Sequence, residues 1–360
     1  MLDLLRTILA FIIEIGVLIF IHELGHYLAA RSQHVTVEVF SVGFGPALFK
    51  YKSKISRTTW QISALPLGGY VRMQGWGEVQ AAGPARPGSF ASASLASRAM
   101  IVVAGPLANL LLAVALYAGL FMSAGRVSTQ PVLDQIEAGS PAARAHLQVG
   151  DRVLAIGDTK ISDFTQMQRI VVANPDRDLD FTIARGEQDI TLPVSIGAET
   201  VGGDQIGHLG VAGTQWSLKR LAPGTAVVAA LQETGTQITG WFIGIKMLVL
   251  KQQGLRDLAG PIGIAQITGK VAALGIAPVV TLVALLSINL GLVNLLPVPM
   301  LDGGYLLFYL IEAVFGRPVP QRLREAGLRM GVGLVLSLML LVTFDDLSRL
   351  GLFSWFTKLL

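Results

Sequence analysis

Along much of this chain apolar residues neither alternate nor keep to one helical face; they run almost unbroken. Residues 5–30, 99–124 and 274–296 are each mostly apolar over the roughly 20 residues that a membrane-crossing helix needs, and 326–344 makes a shorter fourth. The first run is expected to be a retained span and not a cleaved leader, because its apolar stretch is long, contains Glu14 and Glu23, and starts with only Arg6 as a basic residue. Residues 226–250 are long enough to cross but carry Gln232, Glu233, Thr234, Thr236, Gln237 and Lys246, which predicts an amphipathic helix on the membrane surface. The start of 58–72 alternates Thr59, Gln61 and Ser63 with Trp60 and Ile62, the period of a strand.

The polar segments between the spans differ in charge. Residues 31–98 hold eight Lys or Arg against Glu38 and Glu78, so the positive-inside tendency puts this loop in the cytoplasm. Residues 126–218 hold seven basic and twelve acidic side chains, which fits a domain on the opposite side. Composition supports this layout: of 360 residues, 52% are hydrophobic and only 14% charged. A net charge of +4 with scattered basic residues gives no nucleic-acid footprint. Zero cysteines exclude disulfides, cysteine-ligated metal and a cysteine nucleophile, so any metal must use His, Asp or Glu.

Against that background His22-Glu23-Leu24-Gly25-His26 stands out, in the last third of the first span. Histidines at i and i+4 share a helix face, so both imidazoles reach one ion, and the intervening Glu23 projects close enough to take a proton from water there. The plain alternative is a pair of satisfied helical histidines, but ionisable groups in hydrocarbon are costly and mark functional sites. A catalytic zinc needs a third protein ligand. Pro297 and Pro299 break the third span, and irregular backbone at membrane depth is tolerated only beside protein or a water-filled cavity. Asp302 follows directly, at the cytoplasmic depth expected for His22 and His26. Alone it reads as a turn or helix-capping aspartate before an amphipathic stretch at 305–315; beside a two-histidine motif it is the expected third ligand. Asn289 and Asn294 are candidates for holding an opened substrate backbone, or for helix–helix contacts. Ile62 and Ala64 are expected on a strand whose free edge accepts that substrate.

His22 to His26, Gly105-Pro106-Leu107-Ala108-Asn109, and Asn294 to Gly304 together resemble the site-2 protease family, in its bacterial sigma-E-regulating branch. Leu65-Pro66-Leu67-Gly68-Gly69-Tyr70-Val71-Arg72 and Gly260-Pro261-Ile262-Gly263-Ile264 extend the likeness over nearly the whole chain. The resemblance implies an intramembrane zinc metalloprotease with one Zn²⁺, held by His22, His26 and Asp302, and Glu23 as general base. It also implies substrates that are transmembrane proteins, such as anti-sigma factors or signal-peptide remnants, commonly shortened first by another protease, and a multi-pass location in the bacterial inner membrane. Residues 138–145 and 147–156 resemble a bacterial PDZ domain, here a single copy where the sigma-E type carries two; His146 stands where many such domains have Gly. A PDZ domain would bind a peptide or C-terminus, or exclude bulky targets.

The expected fold is therefore a polytopic α-helical membrane protein of about four spans, with a membrane-associated β-hairpin region and one inserted extracytoplasmic PDZ (α+β) domain. Its expected divisions are 1–125 (two spans, the metal motif and the loop 31–98), 126–200 (PDZ), 201–270 (linker with the amphipathic helix) and 271–360 (two spans and Asp302). The rival classes are an inactive membrane scaffold using the PDZ domain and, less well matched, a zinc transporter.

Overall fold

The structure, a computed structural model, describes residues 2–76, 86–201, 204–213, 216–249 and 260–349. The chain divides into two compact units, one formed by Met1–Leu120 with Pro223–Leu360, the other by Phe121–Ala222.

Among the described residues of the first unit, four helices are long and apolar enough to cross a membrane: α1 (Leu2–Ser32), α2 (Leu95–Ser123), α7 (Ile276–Asn294) and α9 (Gln321–Arg349). They coincide with the four apolar runs. On α1 the side chains of Leu4, Leu5, Ile8, Leu9, Ile12 and Ile13 are exposed, as are Leu334, Leu336, Leu338 and Leu340 on α9. Such faces are stable against lipid, where a helix satisfies its own backbone. The chain is an integral membrane protein. The described residues of the unit also form α5 (Pro223–Val249), α6 (Pro261–Ala272) and α8 (Asp302–Phe315). The helix expected at 226–250 is α5, which packs against α7.

Two long strands, β1 (Val37–Lys52) and β2 (Thr59–Met73), bend back on themselves and make one sheet of four segments, its outer ladders antiparallel and its central ladder, 39–42 beside 59–62, running in the same direction. Gly43 and Gly45 turn β1, and Gly68 turns β2, all with positive φ. Residues 47–52 pair with 59–63, residues 59–62 pair in turn with 39–42, and residues 37–42 pair on their other side with 69–73. This corrects the expected free edge. Ile62 faces Val42 across one ladder and Phe49 across the other, so its segment is interior, and Ala64 lies just beyond it toward the Gly68 bend. Among the described residues the edge belonging to β2 is Gly69–Met73, because the folded-back end of β1 covers the alternating stretch. An aromatic cluster of Phe20, Tyr27, Phe40 and Trp60 fastens the sheet to α1, with Phe40 and Trp60 centroids 4.4 Å apart.

The second unit packs the sheet β6 (Thr159–Lys160), β5 (Arg152–Ile156), β7 (Asp178–Arg185), β8 (Gln188–Ser195) with α4 (Phe164–Val172) over a core that includes Leu133, Val153, Met167, Phe181, Ile183 and Val194. It extends past residue 200, where the sequence suggests a linker. Residues 211–212 (β11) pair with Gln135–Ile136 (β4), and Trp216–Lys219 (β12) pairs with Arg126–Thr129 (β3). These late strands are too short to show a period in sequence. His146 has φ 59°, the left-handed conformation that explains why glycine suits this position.

Candidate metal centre

Three elements bring the site together, all in the first unit. Helix α1 presents His22 and His26 one turn apart, both buried, with ring centroids 4.8 Å from each other. Asp302 arrives from α8. After α7 ends, Pro297 and Pro299 keep the backbone irregular, with Met300 at φ 94°, and the new helix begins at Asp302 itself. The cap position belongs to Leu301, and no side chain caps this helix, so Asp302 is not spent as a capping residue. Its two following glycines have a steric reason: a Cβ on Gly303 would run into the Leu295 and Leu296 carbonyls, and one on Gly304 into Val298 and Pro299. The loop thus folds tightly over the start of α8 and aims the carboxylate at α1.

His22 Nε2 lies 3.1 Å from Asp302 Oδ2, His26 Nε2 lies 3.4 Å from the same oxygen, and the two Nε2 atoms are 3.2 Å apart. The candidate ligand atoms of these residues all fall within 4.8 Å of one another. Asp302 Oδ2 is buried yet has no hydrogen bond of acceptable geometry. Two imidazole nitrogens and a carboxylate oxygen turned toward one point, with the oxygen unsatisfied, are what a divalent cation would complete. The three sequence-derived ligands are thus brought together. Glu23 is buried on the same helix beside Gly69 of β2, where an added Cβ would lie 2.9 Å from Glu23 Cγ.

Helix α2 closes the site from a third side, through contacts that the sequence reading left out. His26 Nδ1 lies 2.8 Å from the Ile101 carbonyl oxygen, which accepts only, so Nδ1 carries the proton and Nε2 keeps a free lone pair. Pro106 lies inside α2, where it withholds an N–H and opens the helix near this carbonyl. Small residues allow the approach: a Cβ on Gly105 would enter the His26 ring, and one on Gly25 would strike the Ala104 carbonyl. About two turns beyond Ile101, the side chain of Asn109 meets His22, its Nδ2 lying 3.3 Å from His22 Nδ1. The available signal was a lone Asn in the apolar run that follows Arg98. Asn289 lies within α7 and Asn294 is its last residue; both are partly buried, and neither belongs to the three-ligand cluster.

The sequence model of Peptidase family M50 matches residues 10–338. A candidate zinc metalloprotease of Agrobacterium fabrum is 37% identical over 365 residues, 95% of this chain and 96% of that protein. Zinc metalloprotease RasP of Geobacillus kaustophilus is 31% identical over 426 residues, covering 97% of this chain and 99% of its own length. A candidate zinc metalloprotease of Campylobacter jejuni is 37% identical over 354 residues, 95% of this chain and 93% of that protein.

Proposed function

The chain belongs to Peptidase family M50, and on that premise we propose that it is an intramembrane zinc metalloprotease that hydrolyses peptide bonds within or near transmembrane segments of other proteins. The observation that carries this reading is the meeting of His22, His26 and Asp302 from two distant helices, with Glu23 beside them. His22, His26 and Asp302 would hold one zinc ion. When bound, the ion supplies Lewis acidity and lowers the pKa of water toward about 7. Glu23 takes the proton from the attacking water and delivers it to the leaving amine, so that the amine departs neutral.

A helical substrate hides its carbonyls in its own hydrogen bonds, so cleavage requires local unwinding, and the unwound backbone needs new partners in lipid. The Gly69–Met73 edge of β2 offers them: it meets Glu23 at Gly69, and its outward N–H and C=O groups suit strand addition. Asn289 and Asn294 are further candidates for contacts with the opened chain.

The second unit is a single PDZ-like domain on the extracytoplasmic side, and the metal site faces the cytoplasmic half of the bacterial inner membrane; the charge asymmetry of the two polar segments supports this orientation. A cavity of about 550 Å³ runs between α4 and the β4–β11 pair, lined by Ile136, Phe164, Met167, Leu209 and Val211 among others. Its apolar floor and short strand suit a peptide segment.

The test is Glu23→Gln in purified protein, with metal analysis and cleavage of transmembrane peptides side by side. Zinc is expected to stay at the wild-type level while turnover falls by at least about 10²–10⁴-fold. Undiminished cleavage would remove Glu23 from the chemistry, and a wild-type protein without zinc or cleavage would favour the scaffold reading.

A further inference from the structure

The metal site leaves one polar group unexplained. Asn109 is completely buried in α2, and its Oδ1 has no hydrogen-bond partner, while its Nδ2 points at a nitrogen, His22 Nδ1, at 3.3 Å. If that amide donates to Nδ1, neutral His22 must carry its own proton on Nε2, the atom 3.1 Å from Asp302 Oδ2 and 3.2 Å from His26 Nε2. A protonated Nε2 has no lone pair for a metal. The arrangement would disable one of the three ligands and strand a buried acceptor at the same time.

One rotation restores the ligand and pairs the stranded oxygen, placing the amide N–H groups where Oδ1 now lies. The oxygen and nitrogen of a carboxamide are nearly the same size, and their assignment follows from the hydrogen bonds around them. Turned by half a rotation about its last bond, the side chain presents Oδ1 to His22 Nδ1. The Nδ1–H then donates to Oδ1, and the Nε2 lone pair is freed toward His26 Nε2 and Asp302 Oδ2. This reproduces at His22 what the Ile101 carbonyl imposes on His26. One helix would thus set the tautomer of both imidazoles, by a backbone acceptor for one and a side-chain acceptor for the other. The geometry holds Asn109 in place: Ser287 Oγ donates to its main-chain carbonyl at 2.8 Å, and a Cβ on Gly291 of α7 would sit 3.5 Å from Asn109 Cβ and 3.0 Å from the Pro106 carbonyl. This stretch of α2 is therefore packed tightly against α7, with the Asn109 side chain directed at His22.

We infer that Asn109 is a positioning residue of the metal centre, accepting the His22 Nδ1 proton through its side-chain oxygen and so keeping His22 Nε2 available as a ligand. The inference rests on the zinc-protease reading above. Outer partners of this kind typically contribute about 10- to 100-fold in metal affinity by orienting the ring and raising its basicity.

The test compares wild type, Asn109→Leu and Asn109→Asp in the full-length protein in detergent, reading zinc affinity by competition with a chelator and the melting temperature of each metal-free form. Leu fills a similar volume without an acceptor; Asp keeps the acceptor. Asn109→Leu is expected to bind zinc about 10- to 100-fold more weakly, and Asn109→Asp to stay within a few-fold of wild type, with metal-free melting temperatures that do not account for the difference. The inference is overturned if the Leu variant binds zinc as tightly as wild type, or if both variants lose affinity equally, which would mark a packing role. Failure of wild type to bind zinc would instead overturn the protease reading itself.

Discussion

At the scale of single residues, a buried polar group contributes to stability when a neighbour answers it. Asp151 in the second unit shows this away from the candidate spanning helices. Burial works to raise its carboxyl, but the Arg185 guanidinium, with bonds of 2.7 and 2.8 Å, and the Gln148 N–H at 2.7 Å outweigh it and hold the group below the ordinary aspartate range. A carboxyl depressed by folding contributes stability that is fully present above its unfolded value of about 3.9 and is lost as pH falls through the lower folded value. Asp151→Asn is therefore expected to destabilise the second unit by about 1–3 kcal/mol near neutral pH, with the gap to wild type shrinking below about pH 4. Amide hydrogen exchange across residues 151–195 of the intact protein, followed from pH 7 to pH 3, checks both the size and the direction. A gap that widened in acid would contradict the ion pair as its source.

At the scale of elements, the sheet near the metal centre shows how far local pattern reaches. The alternation of Thr59 to Ser63 correctly marks a strand, yet gives no sign that β1 folds back to cover both of its edges. The exposed edge passes instead to Gly69–Met73, whose glycine permits contact with Ile19 and Glu23 that any Cβ would block. Successive residues of a strand aim their N–H groups at opposite edges. Proline at Tyr70 and proline at Val71 therefore have different consequences: one removes an outward donor, the other breaks a bond to β1. The outward substitution is expected to lower cleavage at least tenfold at unchanged zinc content, by loss of a substrate hydrogen bond worth about 1.5 kcal/mol. Metal analysis paired with peptide cleavage for both variants checks this, and full activity in both would exclude the edge as a docking strand.

At the scale of the whole molecule, every candidate ligand belongs to the first unit, although the stretches of chain that supply them are separated by the entire second unit. Replacing residues 121–222 by a flexible linker is therefore expected to leave the zinc content unchanged; a zinc-free product would show that the metal centre cannot assemble without the excised unit. Cleavage by the same variant separates two roles for that unit: a size filter predicts faster attack on targets that still carry bulky outer domains, and peptide capture predicts slower attack on shortened ones. By itself the sequence determined the four membrane helices, because apolar length is a local property, and the two histidines with Glu23, because their spacing lies within a single helix turn. It also pointed to Asp302 through the two prolines that follow α7. Only the tertiary structure decided which strand edge lies open, that residues 211–212 and 216–219 return to the second unit, and that Asn109 touches His22. Each of these depends on partners distant in the chain, and a buried side chain's hydrogen bonds are fixed by what packs against it, which no local pattern encodes.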